Sequence, residues 1–198
     1  MVGRKTIFII PGFKHHPKQR AYKTIAKILE SEGYAPIPIT IPWARASIFD
    51  GTEHFLKEYK KVNAKRKYIL GFSFGAMIAF LASTRVSTKG LILCSLSPYF
   101  SEDAGSNILM RRLPSNKKRY YREFAHLLSA TLAKKIKTEQ ILMLYGAKEE
   151  KSLIKRVTET FEQISSKDKF LIAIKETDHD IGSRRYLNKI HQIAKVLN

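Results

Sequence analysis

The chain has 198 residues, with 36 Lys and Arg against 17 Asp and Glu, a formal charge of +19 at neutral pH. That length suits one domain, residues 1–198, with enough chain for a real core, and a composition 44% hydrophobic and 11% aromatic excludes a disordered basic tail. The single cysteine, Cys94, excludes an internal disulfide framework and a cysteine-built zinc site. No apolar run reaches the ~20 residues of a membrane span. The apolar stretch 6–10 is too short for a signal-peptide core. The sequence therefore predicts a cytoplasmic chain with no transmembrane segment.

In chain order, residues 6–10 (TIFII) are β-branched and aromatic and stop at Pro11-Gly12, which reads as a buried strand. Ala21, Ile25, Ile28 and Leu29 recur at helical spacing within 17–32, before Gly33. Residues 34–41 alternate through Ile37, Ile39 and Ile41, but Pro36, Pro38 and Pro42 argue for a short or edge strand. Ser47 and Asp50 are both candidates to cap a helix whose face is Phe55, Tyr59 and Val62. A strand at 67–70 runs directly into Gly71-Phe-Ser-Phe-Gly75, and 76–83 is apolar nearly all round, as a buried helix would be. Further strands are expected at 90–94, 141–145 and 170–174. Helices are expected at 119–135, with Tyr121, Phe124, Leu128 and Leu132 on one face, at 150–164, and after a Ser183 cap. Strand and helix alternate, so the class is α/β with a mostly parallel sheet of about six strands. The polar stretch 97–118 is long enough for a small cap or lid.

Gly71-Phe72-Ser73-Phe74-Gly75 is a G-x-S-x-G match in the context that motif needs, a strand before it and a buried helix after it. So tight a turn strains the backbone at the serine, and the flanking glycines have no Cβ to clash. The hydroxyl is held above the C-terminal edge of the sheet, beside the positive end of the next helix. A serine nucleophile needs a base. Of six histidines, only His179 sits in a polar loop directly after a late strand, in Glu176-Thr-Asp-His-Asp-Ile-Gly182. A carboxylate must then orient the imidazole. Glu149, three residues past Gly146, is the first candidate, with Glu150 and Asp103 as alternatives.

The chain order Ser73, Glu149, His179 resembles that of the α/β-hydrolases, specifically the small, minimal members, and the resemblance covers nearly the whole chain. It starts at the family's third strand. The resemblance implies an α/β-hydrolase fold and acyl transfer to Ser73, with His179 as base and Glu149 standing where Asp is commoner. The family's oxyanion loop corresponds to Pro11-Gly12-Phe13, which makes the backbone N–H groups of Phe13 and Phe74 the oxyanion donors and puts Gly12 against substrate. The implied substrate is a small-molecule ester or thioester, with no cofactor and no metal.

The charge needs its own reading. Arg111, Arg112, Lys117, Lys118, Arg119 and Arg122 cluster in the expected lid, interleaved with Tyr120 and Tyr121. There Arg111 and Arg112 would favour an anionic substrate group or a weak contact with an anionic surface. The other Lys and Arg are scattered, and no zinc-finger or RNP-type motif accompanies them, so no specific nucleic acid is expected. The alternative function is a basic binding module for nucleic acid or anionic membrane, built on the same fold with little catalysis. His15 and His16 lie near the expected mouth of the site and read as exposed loop residues, with substrate contact as the alternative. Cys94 reads as a small core residue.

Overall fold

The computed structural model describes residues 5–103 and 118–197, with side chains described from 122 in the second segment. Six strands, β1 (Lys5–Ile10), β2 (Tyr34–Pro38), β3 (Arg66–Phe72), β4 (Thr88–Cys94), β5 (Thr138–Gly146) and β6 (Lys169–Ile174), form one sheet in the order β2-β1-β3-β4-β5-β6. Every neighbouring pair is parallel, so the expected mostly parallel sheet is parallel throughout. Pro36 and Pro38 stand opposite Ile7 and Ile9 on β2, an edge strand, where a missing N–H on the outer side costs no ladder bond.

Helices α1 (Arg20–Ser31) and α7 (Arg184–Val196) cover one face of the sheet. On the other face lie α2 (Ile48–Lys61), α3 (Phe74–Ser83), α4 (Lys118–Ala125), α5 (Ser129–Ala133) and α6 (Lys151–Gln163). Strand side chains alternate between the two layers. Ile7, Ile9, Leu70, Phe72, Ile92 and Leu144 pack with Tyr22, Ile25 and Ile190 on the first face. Phe8, Ile10, Ile69, Leu91, Leu93 and Met143 pack with Phe55, Met77 and Val157 on the second. Both capping candidates of α2 act together: the Ser47 side chain accepts from the Asp50 N–H, and the Asp50 carboxylate accepts from the Ser47 N–H. Every residue of α3 is buried. Ser183 caps α7 by accepting from the Tyr186 N–H.

One expected element divides. The helix read at 119–135 is α4 and α5, interrupted at 126–128. The Ser101 N–H donates to the Leu127 carbonyl at 2.8 Å, and Glu102 Oε1 accepts from the N–H and hydroxyl of Ser129, each at 2.8 Å. These contacts turn Leu127 into the core and leave Leu128 49% exposed, so Leu128 leaves the face expected with Phe124 and Leu132. Of the expected cap, residues 97–103 and 118 are described; Arg111, Arg112 and Lys117 lie outside the described residues.

Sheet register sets up the site. Ile10 pairs with Gly71, Phe72 with Cys94, Cys94 with Leu144, and Gly146 with Ile174. The C-terminal ends of β1, β3, β4, β5 and β6 therefore lie nearly level, and the loops after them open onto one edge.

Candidate active site

Ser73 stands at the turn from β3 into α3 with φ 56° and ψ −119°, a left-handed backbone that a side chain adopts only under constraint. The glycines on either side are what allow it. A Cβ on Gly71 would come within 2.3 Å of the Gly75 carbonyl oxygen, and one on Gly75 within 2.2 Å of the Ile10 carbonyl oxygen. The turn is fastened across the sheet by the Ser73 N–H, which donates to the Cys94 carbonyl at 2.9 Å.

His179 reaches the same point from the loop after β6. Its Nε2 lies 3.0 Å from Ser73 Oγ, and its ring packs 4.8 Å from the ring of Phe72. That loop is stitched to the one after β5: the Ala147 N–H donates to Ile174, and the Lys148 N–H donates to Thr177. Gly146 makes the approach possible, because a Cβ there would sit 2.4 Å from the Thr177 carbonyl oxygen. Lys148 also pairs with Glu176 across the two loops.

Glu149 is buried on the far side of the imidazole. Oε1 accepts from the Ser95 hydroxyl at 2.5 Å and from the Gly146 N–H at 3.1 Å. Among the described residues Oε2 has no hydrogen-bond partner, and it faces His179 Nδ1 at 3.5 Å, an ion-pair distance. Since the one proton of the Ser95 hydroxyl goes to Glu149, the Tyr186 hydroxyl, 2.9 Å from Ser95 Oγ, is the donor in that contact. The alternative acids stand elsewhere. Glu150 is an exposed residue at the cleft rim and the N-cap of α6. Asp103 is gripped by the buried Arg156 guanidinium through contacts of 2.7–3.0 Å.

The loop after β1 is built on Tyr22. The Gly12 N–H donates to the Tyr22 hydroxyl at 2.9 Å, and that hydroxyl also makes a 2.9 Å hydrogen bond with His15 Nδ1. Gly12 thus lines the cleft with its N–H already committed. His15 is half-buried and also lines the cleft, which favours the alternative read for it in the sequence. His16 is exposed, as expected. Burial first, and the neighbouring His179 second, hold the His15 pKa below its usual value. Phe13 and Phe74 pack together 5.2 Å apart beside the cleft, with Trp43 behind them and Tyr99 on the far side of Phe74. Phe74 opens α3, where first-turn N–H groups have no partner within the helix. The cleft itself is about 340 Å³. Burial pushes the Cys94 thiol up to about 12, so it stays a protonated packing residue. Among the described residues no group of three His, Cys, Asp or Glu is placed to hold a metal ion, and no helix is long and apolar enough to cross a membrane.

No protein-family model matches the sequence, and no curated protein matches it. Solved structures do. Est1E from Butyrivibrio proteoclasticus superposes with a TM-score of 0.82 at 19% identity, over 98% of this chain and 86% of that one. Alpha/beta hydrolase domain-containing protein 10 from mouse gives 0.72 at 18% identity, over 100% and 91%. A Paleococcus ferrophilus monoacylglycerol lipase gives 0.74 at 14% identity, over 97% and 93%.

The chain has the α/β-hydrolase fold.

Within that fold, Ser73, His179 and Glu149 meet from three separate loops, and Phe13 and Phe74 line the same cleft. Three groups were not read from the sequence. Ser95 and Tyr186 hold Glu149, and Ser97 places its hydroxyl 3.0 Å from Ser73 Oγ. A usable signal existed for the two serines: both lie within three residues of the end of β4, where α/β folds build their sites.

Proposed function

We propose that the protein is a serine hydrolase that cleaves an ester or thioester through an acyl-enzyme on Ser73. The observation that carries this reading is the contact of Ser73 Oγ with His179 Nε2 at 3.0 Å, made from a strained turn with a buried carboxylate behind the imidazole. The Glu149 carboxylate keeps the proton of neutral His179 on Nδ1, so Nε2 accepts from the Ser73 hydroxyl. As Oγ attacks the substrate carbonyl carbon, its proton passes to Nε2 and the carbonyl electron pair moves onto oxygen. That oxyanion takes hydrogen bonds from the N–H groups of Phe13 and Phe74, each worth about 3 kcal/mol in the transition state. Collapse expels the leaving group, which takes the proton from His179. Water then repeats the sequence on the acyl-enzyme and frees Ser73.

A cleft of about 340 Å³ with Phe13, Phe72, Phe74 and Tyr99 in its walls suits a compact apolar or aromatic group on one side of the scissile bond. Est1E has been solved with ferulic acid bound, an aromatic carboxylic acid of that kind. An anionic group elsewhere on the substrate is compatible with the net charge of +19. The direct test is to mix the protein with an activated short-chain ester, quench in acid and weigh the peptide that contains Ser73. A gain of one acyl group supports the reading; turnover with no acyl-enzyme on a trapped or slow substrate contradicts it.

One observation favours a second reading. Lys18, Arg20, Lys23 and Lys27 line a surface trough along α1, and none makes an ion pair with a carboxylate among the described residues. A protein acting mainly as a polyanion-binding module would hold nucleic acid or anionic vesicles at physiological salt, with steep salt dependence. Release before physiological salt contradicts that reading.

A further inference from the structure

We propose that Ser97 is a further catalytic residue: its hydroxyl donates to Ser73 Oγ and stabilises that oxygen whenever it carries negative charge. This inference rests on the serine-hydrolase reading above.

The inference follows from counting protons. His179 Nδ1 faces the Glu149 carboxylate and carries the ring proton, so Nε2 is an acceptor. Ser73 has a single hydroxyl proton, and at 3.0 Å it goes to Nε2. The second contact of Ser73 Oγ, with Ser97 Oγ at 3.0 Å, must then have Ser97 as donor. Three groups form a directed hydrogen-bond chain, Ser97 to Ser73 to His179, with the Glu149 carboxylate at ion-pair distance behind the ring.

The surroundings of Ser97 favour a chemical role over a packing one. The residue is 3% exposed, yet it contributes to the wall of the cleft. A buried structural serine commonly returns its hydroxyl to the backbone. Among the described residues the Ser97 hydroxyl has Ser73 Oγ as its hydrogen-bond partner, and the nearby turn is closed by backbone alone, Tyr99 N–H to the Ser97 carbonyl. Pro98 follows and stiffens the segment.

The reaction gives that donor two moments to act. In acylation the Ser73 proton moves to His179 as the Oγ–carbon bond forms, and in deacylation the carbon–Oγ bond breaks before Oγ recovers its proton from His179. Oγ is electron-rich at both points. Ser97 donates to it without losing its own proton, so no further reactant is required. In the intervening acyl-enzyme Oγ is an ester oxygen and a weak acceptor, so the donation favours transition states over the intermediate.

Four proteins test this: wild type, Ser97→Ala, Ser97→Val and Ser97→Thr. Val and Thr match in volume, so their comparison isolates the hydroxyl even if Ser97→Ala packs poorly. The readouts are the rate of labelling by a fluorophosphonate probe, which needs the Ser73 nucleophile but little substrate fit, and kcat and KM for an activated ester. Ser97→Ala and Ser97→Val should lose roughly 10- to 100-fold in labelling rate and in kcat, the worth of one hydrogen bond to a charged group, with KM unchanged. Ser97→Thr should stay near wild type. Labelling of Ser97→Ala at the wild-type rate, or equal losses in Val and Thr, overturns the role of Ser97 and leaves the serine-hydrolase reading standing. A folded wild type that takes no label overturns both.

Discussion

Glu149 shows how a single atom can carry the logic of the site. Both donors it receives, Ser95 and the Gly146 N–H, converge on Oε1. In Glu149→Gln the amide oxygen must stay with those donors, which turns the NH₂ group toward His179 Nδ1. That forces the ring proton onto Nε2, where it can no longer accept from Ser73. We expect kcat to fall roughly 10⁴-fold with the fold intact; a loss under tenfold in steady-state assays would show that Glu149 does not set the tautomer. His15 makes a second prediction. Burial disfavours its charged form, so its folded pKa lies below the ordinary ~6.5. The unfolded chain therefore binds the proton more readily. The stability from this group is complete above about pH 6.5 and is lost as pH falls through the folded pKa. Melting curves between about pH 5 and 8 should show wild type losing more on the acid side than His15→Gln, which keeps a hydrogen-bonding side chain for Tyr22 but cannot charge. Parallel curves would contradict it.

Among the elements, the short segment after β4 is fastened by charge. Asp103, in a short 3-10 turn (Ser101–Asp103), meets Arg156 on α6, and Glu102 caps the start of α5 at Ser129. Arg156 is 4% exposed, so removing it takes the Arg156 guanidinium away from a poorly solvated carboxylate. Arg156→Met should destabilise the protein by about 3–5 kcal/mol in denaturant titration. Hydrolytic activity of the folded fraction should persist, because Asp103 has no part in the chemistry proposed for Ser73. The same contacts explain what was legible in the sequence. The alternation of strand and helix, the turn at Ser73 and the loops bearing Glu149 and His179 were readable because each rests on local spacing or chain order. The break between α4 and α5 was not, since contacts from Ser101 and Glu102 overrode a helical periodicity that is sound on its own. Nor were the roles of Ser95 and Ser97. They depend on the register that sets Phe72 beside Cys94, and with it the two loop starts side by side.

On the scale of the molecule, a net charge of +19 sits on a sheet covered on both faces. Such pairs as Lys61–Glu58 and Lys89–Glu139 are exposed, where ion pairs add little. Arg20 and Arg184 also line a groove between α1 and α7, beside His191 and Asp180, on the face away from α3. Self-repulsion should therefore oppose folding. Raising NaCl from about 10 mM to about 150 mM shortens the screening length from ~30 to ~8 Å, and Tm should rise with it. A Tm that falls with salt would mean that attractive pairs dominate the surface. If the proposed function holds, a charge of this size would bias the site toward anionic substrates or surfaces, with the chemistry at Ser73.

The most direct measurement of that central claim is covalent labelling by a fluorophosphonate, read by intact mass and by the modified peptide. The account predicts one adduct per chain, on Ser73, absent from Ser73→Ala and strongly slowed in His179→Ala. A folded protein that takes no label, or one labelled equally well after Ser73→Ala, would contradict it.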